Sequence, residues 1–317
     1  MPEDATSAVP GAVGAAAHYL VVHETEYRYE APVAHAWQLA HLRPRDTAWQ
    51  RVVEHRLHVE PQPSEMAESF DYFGNAVARF SVARLHASLL VRSRSRVTVA
   101  PHAPAPGSRS PAWEEVRGEF RDGPPLQRFE LEQYVSPSPY APVLARAAEL
   151  ARLEFSPRRP WLDALAGLAV RIQREFEFDP VATTLSTPVE SVLKARRGVC
   201  QDFAHLMTSA LRSIGLPARY VSGYLLTTPP PGRPRLAGAD ASHAWVSAWC
   251  PGLGWVDADP TNAKLADTEF VTVAWGRDYG DVPPLRGVMR GGGAQELAVR
   301  VTVEPVAPLR ADEARER

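Results

Sequence analysis

The hydrophobic pattern changes its period once along this chain of 317 residues, and that change limits the folds open to it. Before residue 101 apolar and polar residues alternate, as in "YLVVHETEYRYE", where every second residue from Tyr19 to Tyr29 falls on one face. This alternation is typical of strands with one buried side. After residue 112 the apolar spacing approaches ~3.6, as in "WLDALAGLAVRIQREFEF", which predicts amphipathic helices.

The two patterns meet at a proline-rich connection, "PHAPAPGSRSPA", which predicts two parts joined by a linker. The chain is also long for a single hydrophobic core. We predict the fold class α+β, with an N-terminal antiparallel β-sandwich or barrel over residues 18–100 and a linker over 101–112. Residues 113–306 are predicted to form helices and an antiparallel sheet. Residues 1–17 and 307–317 are expected to be a disordered leader and tail.

The composition argues against several classes of protein. Apolar residues make up 45% and charged residues 23%, as in ordinary soluble globular proteins. A net charge of −2 gives no reason to expect nucleic acid or an anionic membrane as a partner. No apolar run approaches the ~20 residues of a membrane helix, and the acidic N-terminal segment is unlike a secretory signal. Two cysteines make no disulfide framework, so we predict a cytoplasmic protein.

A row of arginines marks one predicted strand, "LLVRSRSRVTVA", in which Arg92, Arg94 and Arg96 share a face. Two interpretations are open, a solvated sheet face and a binding patch. We favour the solvated face, because arginine side chains on half-buried strands mostly lie exposed to water.

The stretch "RRGVCQDFAHLMTSALRSIGL" predicts a helix that starts close to Cys200. Its apolar residues have the spacing of one buried face, and they are Phe203, Leu206, Met207, Ala210, Leu211 and Ile214. Cys200 begins the same stripe, in the first turn, where unpaired N–H groups and the helix dipole favour a thiolate. The residue is a candidate nucleophile, and the alternative is a packing thiol, since free cysteine is often buried.

A thiolate nucleophile needs a general base, and the base needs an orienting acceptor. "SHAWVSAW" puts His243 at the start of a predicted strand, and "GWVDADPTN" puts Asp259 at the end of the next. In an antiparallel hairpin centred on Pro251 these two residues face each other, with Cβ atoms ~4.5–5.5 Å apart. Asp257 is the weaker candidate, and a loop of even length without a bulge would break this register. The alternative for His243 is a hydrogen-bonded core histidine.

Metal binding is the competing chemistry for these residues. Cys200, His205, His243, Cys250 and Asp259 are the side chains that could surround zinc. The sequence has no CxxC or HxxxH spacing among them, so we predict no metal site. The glycine-rich segment "RGGGAQE" follows no strand and starts no helix, so it predicts a loop and no phosphate site.

Four stretches resemble motifs of the transglutaminase-like superfamily, in its bacterial branch: "RRGVCQDFAHL", "GLPARYVSGYL", "SHAWVSAWCPGLGWVDADPTN" and "GRDYGDVPPLRGV". The segment "YRYEAPVAHAWQLAHLRPR" resembles the N-terminal β domain of that branch. The resemblance spans roughly residues 19 to 304. It implies a papain-like core without a cofactor and a Cys-His-Asp triad. In that triad Cys200 is the nucleophile, His243 the base and Asp259 the orienting carboxylate.

The resemblance implies a cysteine enzyme that cleaves or exchanges amide bonds through an acyl-thioester, and we expect a peptidase or amidase. An amine-accepting transglutaminase or amide synthase is the first alternative. A noncatalytic binding module is the second. The expected partner is a peptide or protein amide, with neither nucleic acid nor membrane, and the oligomeric state stays open.

The segment "GRDYGDVPPLRG" supplies further candidates for substrate binding, Asp278, Tyr279 and Arg286, with Asp281 beside them. These polar side chains follow a predicted strand of the second part and are candidates to line its cleft. The alternative is an ordered loop that only braces the strands, and the sequence does not separate the two interpretations.

Overall fold

The computed structural model describes residues 14–184, 187–227 and 242–308. Its strands are β1 (Ala17–Ala40), β2 (Gln50–Glu60), β3 (Glu65–Phe70), β4 (Ala76–Val82), β5 (His86–Val99), β6 (Glu177–Phe178), β7 (Arg197–Gly198), β8 (Ala218–Leu225), β9 (Ser242–Cys250), β10 (Gly254–Asp259), β11 (Lys264–Leu265), β12 (Phe270–Gly276), β13 (Leu285–Gly291) and β14 (Gln295–Pro305). Its helices are α1 (Trp113–Asp122), α2 (Pro125–Glu132), α3 (Ala145–Arg152), α4 (Trp161–Glu175), α5 (Val189–Ala195), α6 (Cys200–Ser213) and the 3₁₀ helix η1 (Tyr279–Asp281).

The N-terminal part is one curled antiparallel sheet of seven strands built around β1. β1 is long enough to pair with different strands along its two halves. Its first half pairs with β5 and β14, and its second half pairs with β4 and β13. β2 and β3 complete the sheet at its edges. The predicted α+β class is confirmed. The N-terminal part is a single curled sheet.

The last two strands return to the N-terminal sheet. The sequence pattern predicted that residues 113–306 form the second part, but β13 and β14 form hydrogen bonds with β1. Most residues of both strands are exposed or only half-buried, so their pattern carries no information about which sheet they join. The helical part is therefore inserted between strands of one sheet.

The second part places α6 against a five-stranded antiparallel sheet of order β11-β10-β9-β8-β12. Nearly every residue of α6 after its first turn is buried. The central strands β8 and β9 are buried on both faces, and α6 packs against one of these faces. A helix enclosed in this way holds its N-terminus at a defined place beside the sheet.

The two parts share one hydrophobic core and a polar joint. The core cluster joins Val21 and Val97 of the N-terminal sheet to Leu206 of α6. At the joint, the side-chain amide of Gln50 donates to the carbonyl of Thr272 at 2.7 Å and accepts from its N–H at 2.9 Å. These bonds replace the strand that the edge of β12 would otherwise lack.

Two surface predictions concern charge and membranes. The arginine row of β5 lies beside carboxylates, since Arg92 pairs with Glu24 at 2.5 Å and Arg96 lies 4.0 Å from Glu54. The prediction of a solvated sheet face is therefore confirmed. In the described segments no helix is long and apolar enough to cross a membrane.

Candidate active site

The candidate nucleophile, Cys200, is the first residue of α6, as predicted. The chain reaches it through the short parallel pair of β6 and β7, which ends at Gly198. A Cβ atom at residue 198 would lie 2.8 Å from Oδ2 of Asp202, so a larger residue would displace that carboxylate. Asp202 accepts a hydrogen bond of 2.8 Å from the backbone N–H of Val199, which caps the helix. The partly exposed thiol is thus fixed at a helix N-terminus.

His243 and Asp259 meet as expected, but the strand register that brings them together differs from the prediction. Ala258 of β10 faces Val246 of β9. Asp259 is therefore opposite Trp245 and diagonal to His243. The predicted direct opposition of His243 and Asp259 was wrong.

The difference arises in the turn between β9 and β10. The prediction centred the hairpin on Pro251, whereas Cys250 pairs with Gly254 and so centres it on Gly252. Gly252 and Gly254 have positive φ, 76° and 72° respectively, which other residues rarely adopt. Moving the centre by one residue shifts every facing pair by two and leaves each side chain on its sheet face. The contact survives because diagonal neighbours remain within reach of long side chains.

Asp259 holds the imidazole of His243 in one orientation. Nε2 of His243 lies 2.8 Å from Oδ2 of Asp259, which is fully buried. The carboxylate also accepts bonds from the N–H of Thr261 at 2.8 Å and the amide of Asn262 at 2.6 Å. Burial raises the pKa of Asp259, but these donors outweigh it and hold the pKa below its usual value. A carboxylate here keeps the proton on Nε2 and leaves Nδ1 for the thiol.

His243 bonds both of the other candidates. Burial lowers the pKa of its imidazole, yet hydrogen bonds to Asp259 and then to Cys200 raise that pKa to about 10. The side chain is only 10% exposed, so water competes weakly for these bonds. An imidazolium between a carboxylate and a sulfur stabilises a thiolate.

A second diagonal pair lies one step along the same strands. Nε1 of Trp245 donates to Oδ2 of Asp257 at 3.0 Å, and the indole lies 6.2 Å from the ring of His243. Gly223 on β8 leaves room for this indole, since a Cβ atom there would lie 2.5 Å from it. Asp257, the weaker sequence candidate, is thus bonded to a tryptophan that supports the imidazole.

An aromatic cluster beside the sulfur was not predicted. The ring of His205 stacks 5.4 Å from that of Tyr140 and 4.8 Å from that of Tyr220. Its Nε2 accepts a bond of 3.1 Å from the N–H of Tyr279, and burial lowers its pKa to about 3, so the ring is neutral. The buried Tyr220 hydroxyl interacts electrostatically with Cys200. These residues lie on separate elements, so no local pattern could reveal them.

The three candidates for substrate binding lie in different settings. Asp278 is buried and braces η1, because its carboxylate accepts from Gly280 at 2.8 Å and from Tyr140 at 2.9 Å. Tyr279 lies in the aromatic cluster. Arg286 is exposed on β13 of the N-terminal sheet, and its Nη1 donates to the carbonyl of Gly280 at 3.1 Å. A role of these residues in binding substrate stays a prediction.

The second cysteine differs from the first in its surroundings. Cys250 is fully buried at the end of β9, and burial raises the pKa of its thiol to about 12. A thiol in that state is a poor nucleophile. The described residues contain no group of three or more His, Cys, Asp or Glu arranged to hold a metal ion.

Two family descriptions match the chain. They are the bacterial transglutaminase-like N-terminal region, over residues 19–98, and the transglutaminase-like superfamily, over residues 154–260. An uncharacterised protein of Mycobacterium tuberculosis is 41% identical over 302 residues, which cover 93% of this chain and 94% of that protein. A protein-glutamine gamma-glutamyltransferase of Pseudomonas aeruginosa is 31% identical over 161 residues, which cover 48% of this chain and 23% of that protein.

A solved structure shares the whole fold. It is a protein from Cytophaga hutchinsonii, provisionally named a cysteine protease, with a TM-score of 0.72 and 19% identity over 94% of this chain and 93% of that one. At this identity the likeness concerns the fold alone. The two family matches lie in the expected order, and the core match contains Cys200, His243 and Asp259. The chain therefore belongs to the transglutaminase-like superfamily and carries its bacterial N-terminal region.

Proposed function

We propose that this protein is a cysteine-dependent enzyme that breaks amide bonds through an acyl-thioester, as a peptidase or amidase. The observation that carries the proposal is the chain of contacts from Cys200 through His243 to Asp259, with 2.8 Å between Nε2 and Oδ2. These three side chains have the chemistry of a nucleophile, a general base and an orienting carboxylate.

The geometry supports a two-step reaction. The Cys200 thiolate attacks the amide carbonyl, and backbone N–H groups at the start of α6 stabilise the oxyanion. The His243 imidazolium protonates the leaving amine as the C–N bond breaks, which leaves the acyl group on sulfur. His243 then takes a proton from water, the hydroxide attacks the thioester, and the carboxylic acid leaves. The proton that His243 took restores the thiolate–imidazolium pair.

The acyl acceptor is the second part of the proposal. The Cys200 residue is partly exposed, which supports water as the acceptor and therefore hydrolysis. Transfer to a primary amine is the second candidate. The gamma-glutamyltransferase name of the Pseudomonas aeruginosa relative favours that candidate. In that reaction the amine would take the place of water in the second step.

The proposed thiolate is tested by alkylation with iodoacetamide at about pH 6–7, followed by peptide mass analysis. Cys200 is expected to react at least about tenfold faster than Cys250, whose thiol is buried and protonated. The variant His243→Gln is expected to slow the reaction of Cys200 and to leave Cys250 as it was. Equal rates at the two cysteines would overturn the proposal and favour a noncatalytic binding module.

The acceptor is tested by product analysis. A capped peptide with backbone amides and a glutamine carboxamide is incubated with the protein, with and without excess methylamine. Hydrolysis gives a free carboxylic acid in both mixtures, and mass spectrometry locates the cleaved bond. Methylamide products that exceed the acid would replace the hydrolase by a transferase. The variant Cys200→Ala is the blank for both mixtures.

A further inference from the structure

The outward face of the N-terminal sheet carries a concave surface, which we call the outer groove. Its volume is about 550 Å³, within the range usual for ligand sites. Its floor is formed by four neighbouring strands in the order β13-β1-β4-β3. The opposite face of these strands packs into a buried cluster that includes Ala36, Ala40 and Phe80. The outer groove is therefore a feature of the solvent side and not of the core.

Strand register arranges the side chains of the outer groove in two rows. Trp37 of β1 faces Val288 on one neighbour and Ser81 on the other. The first row contains, in order across the strands, Val288, Trp37, Ser81 and Glu65. The second row contains, in the same order, Arg286, Leu39, Arg79 and Ala67. Each row thus crosses all four strands.

The first row exposes unusually apolar surface. Trp37 is 47% exposed and Val288 67%. The indole is held in place by His35, whose ring stacks on it with 3.7 Å between centroids. A contiguous exposed apolar patch with a fixed aromatic ring is typical of an interaction site.

The second row carries positive charge without a matching carboxylate. Arg79 donates to the hydroxyl of Ser69 and Arg286 to the carbonyl of Gly280, and within the described ranges neither forms an ion pair. Each guanidinium has five N–H donors, so donors remain for a ligand. Glu65 lies at the far edge of the first row and pairs with neither arginine. This contrasts with the arginines of β5, which lie beside glutamates.

The distance between the two arginines limits which ligands can bind both of them. Arg286 and Arg79 lie two strands apart with Leu39 between them, which corresponds to ~10 Å, since neighbouring strands are ~4.8 Å apart. A peptide in the polyproline II conformation rises ~3.1 Å per residue with three residues per turn, so acidic side chains three positions apart lie on one side and ~9 Å from each other. Apolar side chains between the two acids would meet Leu39 and Trp37.

A series of contacts through η1 connects the outer groove to the candidate active site. Arg286 bonds the carbonyl of Gly280, and the neighbouring Tyr279 bonds His205 on α6. His205 stacks on Tyr220, which is near enough to Cys200 for the two side chains to interact electrostatically. A chain bound in the outer groove would therefore contact Arg286, which bonds the loop beside the nucleophile helix.

We propose that the outer groove is a docking site for an extended segment of the substrate in which two acidic residues flank apolar ones. The identification of the bound chain as substrate rests on the proposed function. Arg79 and Arg286 would bind the two carboxylates, and Trp37 would pack on the apolar residues between them.

The test uses the full chain with Cys200→Ala, so that binding is measured without turnover. The probe is the fluorescein-labelled, capped peptide Glu-Leu-Leu-Glu, and Gln-Leu-Leu-Gln and Lys-Leu-Leu-Lys serve as matched peptides. Fluorescence anisotropy is expected to show tightest binding for the acidic peptide and weaker binding as salt is raised. The Arg79→Gln, Arg286→Gln pair and, separately, Trp37→Ala are expected to weaken it at least about tenfold.

The control is Arg56→Gln, an exposed arginine of β2 on the same sheet, which lies beside Glu54. It is expected to bind the acidic peptide as tightly as the parent. Equal binding of all three peptides, or full affinity without both groove arginines, would overturn the docking site. If the double variant fails to fold, Arg79→Gln and Arg286→Gln are measured separately, and full affinity in both would overturn the docking site. Cys200 alkylation is measured separately, so failure of the groove and failure of the proposed enzyme are distinguishable.

Discussion

Two aspartates on β10 lie two residues apart and have different partners. Asp259 bonds His243 at 2.8 Å, and Asp257 bonds the indole of Trp245 at 3.0 Å. Both contacts are diagonal across β9 and β10, because the hairpin is centred on Gly252. Only Asp259 touches an ionisable ring, so only its charge acts directly on the proton of the imidazole.

Asp259→Asn is expected to lower kcat at least about tenfold, because an amide can orient the imidazole but cannot stabilise its charge. The pKa of His243 is raised to about 10, so the imidazolium is lost as the pH rises through that value. Without the carboxylate that pKa falls, and the alkaline limb of kcat/KM moves to lower pH. The check is kcat/KM on the capped peptide from about pH 5 to about pH 11.

The matched control is Asp257→Asn, which removes a buried charge from the same strand. The alkaline limb of its kcat/KM profile is expected to lie at the same pH as that of the parent protein. An alkaline limb that does not move in Asp259→Asn would remove Asp259 from the proposed triad. The thiol of Cys200 should remain open to alkylation in both variants, which shows that the fold is retained.

At this scale, sequence could predict parity but not register. For any turn of odd length, the alternation of β9 and β10 places His243 and Asp259 on one sheet face, whereas a turn of even length would place them on opposite faces. The exact turn depends on positive φ at Gly252 and Gly254, and several glycine turns suit "CPGLG". His205, Tyr140 and Tyr220 come together only through tertiary packing, so their cluster has no signal in the sequence.

The start of α6 depends on one buried carboxylate. Oδ2 of Asp202 accepts from the N–H of Val199 at 2.8 Å and from the hydroxyl of Thr183 at 2.6 Å. Gly198 leaves the space that this carboxylate fills. Burial raises the pKa of Asp202, and the two donors act against it. The carboxylate thereby connects the loop before the nucleophile to the first turn of the helix.

Asp202→Ala is expected to lower the free energy of unfolding by roughly 1–2 kcal/mol, because Val199 loses its capping partner. It should also slow alkylation of Cys200, since the first turn is no longer held. Thr183→Val is the matched control, which removes the hydroxyl and keeps the bond to Val199. Thermal melting and iodoacetamide rates measure both effects. Unchanged alkylation in Asp202→Ala would show that Cys200 is positioned without this carboxylate.

The joint between the two sheets shows why element boundaries are harder to predict than elements. The edge of β12 is covered by side-chain amides, as Asn75 donates to the carbonyl of Trp275 at 2.9 Å and accepts from its N–H at 2.9 Å. Gln50 does the same at Thr272. Both amides lie at turns or strand ends of the N-terminal part, where a polar residue predicts only a loop.

Over the whole molecule, the chain is less divided than its hydrophobic pattern suggests. The proline-rich connection and the change of period correctly separate strands from helices. They do not separate cores, because Val97, Val301 and Leu206 belong to one buried cluster. β13 and β14 also return to β1 after the helical part. Neither feature has a local signature, since both depend on contacts between residues far apart in sequence.

A shared core and a covered edge predict that the protein unfolds in one transition. Differential scanning calorimetry is expected to give a single peak whose calorimetric and van't Hoff enthalpies agree. Gln50→Leu is expected to lower the free energy of unfolding by about 1–3 kcal/mol, because the buried N–H of Thr272 loses its partner and the carbonyl of Thr272 loses one of two donors. Gln127→Leu, the same change on an exposed face of α2, should shift it by less than about 0.5 kcal/mol. Two resolved peaks, with only the first moved by Gln50→Leu, would show that the N-terminal sheet is an independent unit.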